Sequence, residues 1–500
     1  MRAPSKFGFW SLVGATAFGC APSPAPHAQN AKDASDAGAK PVAERADAFR
    51  ATRPPPTAPG HFEFPTPRIV QLENGLNVYW VPRKTRVLTL AFVVRHGASS
   101  VPEGKSGLAA LTARMLTEGT RKKSSALLAE AVESLGTSLA AGATRDESSL
   151  ELTVLKEDAP AALALLAEVA MDPAFSAKEF QRVRNEWLDG LQSERQNPQR
   201  LAVLAAVRAL HGPVGGAPVN GKPGDVEKLG IADLSDFHRR AYTPDNSALI
   251  IVGDVDEAEF GKEVSRQFSS WNKKSSITPP AVAPPAQPEK TRVLLVDRPS
   301  AVQSAIAAVQ VFPRRADPGF EARQILGRVL GGLFTSRLNT NLREQHAFTY
   351  GASAVPVATR NAGTLLVATS VRTDVTPAAL GEIVSELERM KDPALGAPLN
   401  DAELGRARAD LIFSLGATLE HPSRVADTLG SQFVDALPPD YHTRYPELIR
   451  SITPDAVNRA AQAVTPQKLL VVIVGDKAKI EPELVTRGFS VEPAPAAVLD

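Results

Sequence analysis

TPDNSALIIVGD begins at Thr243 and TPQKLLVVIVGD at Thr465, an ungapped match 222 residues apart. PAAL repeats in the same order, at Pro160 and again at Pro377. Two ordered matches at nearly one offset make the chain a duplicated unit of roughly 220 residues, so whatever one copy folds into, the other must fold into as well. A length of 500 residues is too great for one ordinary core and agrees with two folded halves.

Between the copies, KKSSITPPAVAPPAQPEK (residues 273–290) carries five prolines and reads as an extended, semi-rigid linker. Two domains are therefore expected, at 61–272 and 291–490. In the first, IVQLENGLNVYWV predicts a hairpin around Asn74 and Gly75. The strand VLTLAFVV (Val87–Val94) follows, then helices containing GLAALTARM and covering 126–135, the alternating strand SLELTVL and the helix AALALLAEVAM. Two longer helical stretches and the strand SALIIVGD close the unit. Strands and helices mix without strict βαβ alternation, which predicts an α+β class: two homologous sandwiches, each a mainly antiparallel sheet covered by helices.

The N-terminus reads as an address. Arg2 and Lys6 precede an apolar stretch from Phe7 to Phe18, the pattern of an export signal, and it is too short for a stable membrane span. Cys20 is the single cysteine, so no internal disulfide is possible. AFGC resembles a bacterial lipobox, in which Cys20 becomes lipidated, although Ala17 and Phe18 depart from the usual residues. The expectation is a signal over 1–20, a disordered tether over 21–60 rich in Ala, Pro, Asp and Lys, and a body on the periplasmic face of the envelope, lipid-anchored to the outer membrane. The alternative is a plain signal peptide with an incidental cysteine. With 56 basic against 55 acidic residues and no basic run, nucleic acid is not an expected partner.

GLAALTARM (residues 107–115) holds the chemistry question. Leu108, Leu111, Met115 and Leu116 recur at core-facing helical spacing, while Ala110, Ala113 and Arg114 share another face. A catalytic zinc helix puts two His on such a face one turn apart, with a Glu beside them to activate water. The surroundings resemble the insulinase and pitrilysin (M16) family of zinc peptidases, which includes the mitochondrial processing peptidases and typically reads G-L-A-H-x-x-E-H-M followed by G-T. Here GLA, Met115 and Gly119-Thr120 are in place, but Ala110 and Arg114 stand for the two His and Ala113 for the Glu. The family's third ligand, a Glu some way downstream, falls by the same resemblance on Gly190, beside Asp189. A guanidinium about 4 Å from a divalent cation would cost on the order of 8 kcal/mol at an effective dielectric of 20, so Arg114 works against a metal here. No two of the eight His stand at i, i+3 or i+4. No metal and no cofactor are expected in this chain.

LGGLFTSRLNTNLREQHAFTYGA (residues 330–352) resembles the family's L-G-G-G-x-x-S-R-L-x-x-x-L-R-E-x-x-x-x-x-Y segment. The resemblance implies that Arg343 positions a peptide and that the Tyr350 hydroxyl donates to the oxyanion in a partner's site; the plain alternative is a surface ion pair and a strand aromatic. Gly331 and Gly332 either let a substrate backbone approach closely or merely end a helix. GKPGDVEKL, from Gly221, resembles a structural family segment. The resemblance spans roughly residues 65–480 and implies a non-catalytic subunit of a heterodimeric zinc endopeptidase. Its expected partners are a zinc-bearing paralogue, which supplies the zinc, and a peptide or unfolded protein. Two other readings stand beside it: an envelope peptide-binding or scaffold protein with no role in hydrolysis, and a hydrolase with an unrecognised site.

Overall fold

The structure, a computed structural model, describes residues 62–395 and 398–499. The signal, the tether and Cys20 lie outside the described residues. The expected hairpin forms from β1 (Arg68–Gln71) and β2 (Asn77–Pro82), with Gln71 opposite Asn77. Asn74 braces its turn: its Oδ1 accepts from the Leu76 N–H (3.1 Å), and its amide donates to the Phe268 (2.7 Å) and Trp271 (3.1 Å) carbonyls.

With β3 (Val87–Val94), β4 (Ala140–Ala143), β5 (Ser148–Leu155) and β6 (Ser247–Gly253), the hairpin makes a six-stranded sheet in the order β1-β2-β6-β3-β5-β4. The second copy builds β7 (Arg292–Asp297), β8 (Gln303–Val311), β9 (Thr349–Ala358), β10 (Gly363–Arg372), β11 (Leu470–Gly475) and β12 (Ser490–Pro493). Its order, β12-β7-β11-β8-β10-β9, superposes the repeat position by position, with the two IVGD strands β6 and β11 as counterparts. The copies differ at one edge. β1 pairs antiparallel with β2, whereas its place in the second sheet is taken by β12, which pairs parallel with β7. The remaining pairs are antiparallel apart from β2 with β6 and β7 with β11, so the α+β, mainly antiparallel class holds.

Five helices in the first copy fall where the apolar spacing puts them: α1 (Leu108–Leu116), α2 (Ser125–Ser134), α3 (Ala159–Met171), α4 (Ala177–Gln196) and α5 (Pro198–Gly215). Asn197 caps α5, accepting from the Arg200 N–H at 3.1 Å, and Pro198 takes the first helical position, where its missing N–H costs nothing.

β5 alternates buried and half-buried residues along its length, but β6 and β11 are buried throughout. A strand buried on both sides needs a cover on each face. One face of the first sheet carries Leu88, Leu90 and Phe92 into a core shared with α1 and α3. The opposite face is covered by a helix from the other copy, Pro422–Val434, whose Gly430 lies so close to Val93 that an added Cβ would come within 3.1 Å of it. The exchange is reciprocal: Ala202, Ala205, Ala206 and Leu210 of α5 pack on Leu294, Val309, Leu366 and Val472 of the second sheet. Each half thus lends a helix to the other.

Leu210 is fully buried in that exchanged contact. Leu210→Ala is expected to cost about 3 kcal/mol, the usual range for a buried Leu whose site cannot collapse. Because α5 belongs to one copy and its core to the other, urea unfolding of wild type and variant should each show one transition; two separated transitions would mean that the exchange does not couple the halves.

Candidate functional site

α1 presents the three altered positions on one face. Ala110 and Ala113 are buried at 4% and 0% exposure, closing with methyl groups the space where ligands and a base would stand. Arg114 is held in an ion-pair network. Its Nη1 lies 2.6 Å from the Glu118 carboxylate one turn on, and Glu118 also takes a hydrogen bond from Arg182 of α4 and from the Ser125 hydroxyl (3.0 Å). Arg182 reaches Glu179 (3.0 Å) and Glu186 (2.9 Å) as well. Burial alone would push Glu118 up, but the Arg182 hydrogen bond and the Arg114 charge outweigh it and hold the carboxyl below the ordinary carboxylate value.

The loop preceding α1 is fastened by the GKPGDVEKL segment. The Asp225 carboxylate accepts from the Ser106 hydroxyl (2.6 Å) and backbone N–H (3.2 Å), and the Lys222 N–H donates to the same hydroxyl (3.0 Å). Trp187 of α4 donates to the neighbouring Asn220 carbonyl (2.8 Å). The start of α1 therefore lies near residue 187 and its end near residue 182, so α4 runs antiparallel past the altered face. Gly190, farther along α4, is exposed, and a Cβ there would meet nothing within 4 Å.

Two methyls, an ion-paired guanidinium and a glycine offer no donor to a zinc ion, so these residues do not fit the metal that the helix geometry would otherwise suit. Among the described residues no three His, Cys, Asp or Glu side chains gather into a metal-ligand group. Burial shifts four described imidazoles: His442 packs among the Phe64, Tyr441 and Tyr445 rings, and the other three have hydrogen-bond partners. His96 sits between the Ser100 (2.8 Å) and Ser275 (3.0 Å) hydroxyls, His211 meets Thr364 (2.7 Å), and His238 meets the Ala170 carbonyl (2.9 Å). Burial pushes each of the three down to about 4, so they are neutral at physiological pH.

Glu118→Ala removes the shared anion from two cations. Arg114 and Arg182 keep about a third of their side chains in solvent, which discounts the buried-pair figure to an expected loss of roughly 1–2 kcal/mol. Since the native state holds Glu118 below its ordinary value of 4.5, its contribution is present above that pH and fades as the pH falls through the native value. Urea midpoints of wild type and variant should differ at pH 7 and converge below pH 4.5.

Arg343 and Tyr350 frame the start of β9. Arg343 closes an irregular helical turn (Thr340–Gln345), with its guanidinium 3.2 Å from the centre of the Phe334 ring and bonded to Glu344 at 2.8 Å. Tyr350, on β9 itself, is 93% exposed. No hydrogen bond joins the two among the described residues. Phe334, 73% exposed, was not singled out by the motif. The glycines of the motif differ from one another. Gly331 faces β9, where an added Cβ would lie 2.2 Å from the Ala354 nitrogen, whereas Gly332 is exposed and its added Cβ would meet the Arg328 side chain at 2.9 Å and the Gly327 carbonyl oxygen at 3.2 Å.

The outer strands of the two sheets are also unlike. At β9, the Asn339 amide donates to the Ala352 carbonyl (2.9 Å) and accepts from its N–H (2.9 Å), sealing the edge as a neighbouring strand would. At β4, the run AAGA pairs only with β5 among the described residues and itself carries neither Pro nor Lys.

Two six-stranded sheets with reciprocal helix exchange, and a zinc-helix position occupied by alanine and arginine, define a peptidase-like protein of the non-catalytic type. Two family profiles match: "Insulinase (Peptidase family M16)" over residues 81–212 and "Peptidase M16 inactive domain" over residues 228–411, together more than half of the chain. An uncharacterized zinc protease of Rickettsia bellii is 22% identical over 376 residues, covering 73% of this chain and 87% of that protein. Subunit 1 of the bovine mitochondrial cytochrome b-c1 complex is 25% identical over 207 residues, 41% of this chain and 43% of its own length. A crystal structure of a peptidase M16 inactive domain from Pseudomonas fluorescens has a TM-score of 0.75 at 25% identity and covers 82% of this chain and 98% of its own. The chain belongs to the M16 peptidase family, as an inactive-type member.

Proposed function

We propose that this chain is the non-catalytic subunit of a heterodimeric M16 zinc endopeptidase, binding peptide and lending Arg343 and Tyr350 to the site of a zinc-bearing paralogue. The observation that supports the reading is Tyr350: a phenol 93% in solvent on a strand is open to a partner. Arg343, its charge stacked on Phe334, is preset in one orientation. In this role the Tyr350 hydroxyl donates to the oxyanion of the attacked carbonyl and Arg343 fixes the peptide, while the partner supplies the metal. The bare β4 edge supports peptide capture by strand addition, and the Asn339 seal directs it to the first sheet.

The scaffold reading has its own support in the partial match to a cytochrome b-c1 complex subunit, whose name places it in an assembly. The two separate in a mixing experiment. If the subunit reading holds, the chain co-elutes with a zinc-bearing paralogue from the same cell and the mixture cleaves an unstructured peptide faster than the paralogue alone; co-elution without any gain in rate favours the scaffold.

We also propose export and lipid attachment at Cys20, on the N-terminal pattern alone. Mass spectrometry of the mature chain from membranes should show a diacylglyceryl adduct on an N-terminal Cys20; an unmodified chain beginning elsewhere would rule this out.

A further inference from the structure

The ladder between β9 and β10 runs regularly from Ala358 opposite Gly363 to Ala352 opposite Thr369 and then slips, the next pair being Thr349 opposite Val371. Tyr350 and Gly351 together therefore stand opposite the single residue Ser370, which makes a β-bulge. Side chains alternate along a strand, so Thr349 and Ala352 would lie on opposite faces if β9 were regular. The bulge brings both to one face, that of their partners Val371 and Thr369, which are buried. Tyr350 is left in solvent, and its hydroxyl has no hydrogen-bond partner among the described residues.

Two threonine hydroxyls tie the irregularity down. The Thr349 hydroxyl donates to the Ser370 carbonyl (2.7 Å) and accepts from the Gly351 N–H (3.1 Å), so it grips both strands at the bulge. The Thr369 hydroxyl, on a side chain buried in β10, lies 2.9 Å from the Gly351 carbonyl and 3.0 Å from the Thr349 hydroxyl, and can donate to either. Ser370 itself takes a hydrogen bond on its hydroxyl from Gln199 of α5 (2.7 Å). Beyond the bulge Ala352 is held by Asn339, and before it the Phe348 N–H donates to the Leu342 carbonyl (2.8 Å) and the Ala347 N–H to the Arg343 carbonyl (3.1 Å). The backbone is thus fastened before, at and after Tyr350, although the phenol is free.

We propose that Thr349 and Thr369 are positioning residues for Tyr350: their hydroxyls hold the bulge in one shape, so that the Tyr350 side chain leaves the strand from a fixed point and in a fixed direction. This role rests on the reading that Tyr350 serves the oxyanion of a partner's site. An oxyanion donor works only within hydrogen-bond reach of the place where the charge develops, and a shift of about 1 Å costs on the order of a hundredfold in rate. A side chain in solvent has no neighbours of its own to set its place, so its backbone must do so. Bulges are a common means of re-aiming one side chain beside an active site. Removing the Thr369 hydroxyl would take away the donor to Gly351 and Thr349 while keeping the branched shape that suits a strand, and Thr369→Ser would keep the donor.

The test is steady-state cleavage of an unstructured fluorogenic peptide by a zinc-bearing paralogue from the same cell mixed with the full chain, as wild type, Thr369→Val, Thr369→Ser or Tyr350→Phe. Thr369→Val should lower kcat by about tenfold or more, with KM and co-elution with the paralogue unchanged, and Thr369→Ser should stay within about twofold of wild type. Thr349→Val takes the place of Thr369→Val if the latter folds poorly, since it removes the other hydroxyl of the pair. A slow Tyr350→Phe mixture beside a Thr369→Val mixture as fast as wild type would overturn the positioning role and leave the shared site standing. A rise in KM or loss of co-elution that accounts for the slower rate, or no rescue by Thr369→Ser, would reduce the threonines to fold stability and overturn it too. A Tyr350→Phe mixture as fast as wild type would remove the shared-site reading itself, and the positioning role with it.

Discussion

Gly331→Ala is expected to lower the stability of the chain by about 3 kcal/mol, while Gly332→Ala, one residue on, costs less than about 1 kcal/mol. The contrast follows from what each new methyl would meet. At Gly331 a Cβ lies 2.2 Å from the Ala354 nitrogen, 2.7 Å from its Cβ and 2.8 Å from the Ser353 carbonyl carbon. These are strand atoms, and β9 has nowhere to move: Asn339 pins Ala352 on one side and the β10 ladder holds the other. At Gly332 the nearest atom is the Arg328 Cδ at 2.9 Å, in a side chain that can shift while keeping its ion pair to Asp410, and the one backbone atom nearby, the Gly327 carbonyl oxygen, stands off at 3.2 Å. Urea unfolding of the two variants gives the comparison. Equal and small losses, with weakened peptide binding in Gly331→Ala, would instead assign Gly331 to substrate approach, the other reading its sequence context allows.

Much of the fold was legible because the chain states it twice. The 222-residue offset required two like halves, and the strands VLTLAFVV and SALIIVGD fall almost residue for residue on β3 and β6. β4 was not legible: AAGA has neither the β-branched residues nor the alternation that marks a strand, and it is held by its ladder to β5. Nor was the helix exchange, because apolar spacing shows that α5 buries a face and says nothing of which sheet receives it. The continuous burial of β3 and β6, readable as long apolar runs, was the one hint that each sheet is covered on both faces.

The candidate site divides the same way. The loss of both His and the Glu was visible at once, because a motif's absence is a matter of residue identity. The network that replaced it was half visible: Glu118 stands four residues after Arg114, a spacing that favours pairing on a helix, but Arg182 joins only in three dimensions.

The most direct test of the shared-site account is peptide hydrolysis by a zinc-bearing paralogue mixed with this chain or with its Tyr350→Phe variant. Tyr350 is so exposed that losing its hydroxyl should leave folding and co-elution with the paralogue unchanged. Loss of one oxyanion donor in a preorganised site costs roughly a hundred- to a thousand-fold in rate, and the account predicts a fall of that size in the mixture with the paralogue's own basal rate untouched. A Tyr350→Phe mixture as fast as wild type would contradict it, leaving a peptide-holding or scaffold subunit whose exposed tyrosine takes no part in hydrolysis.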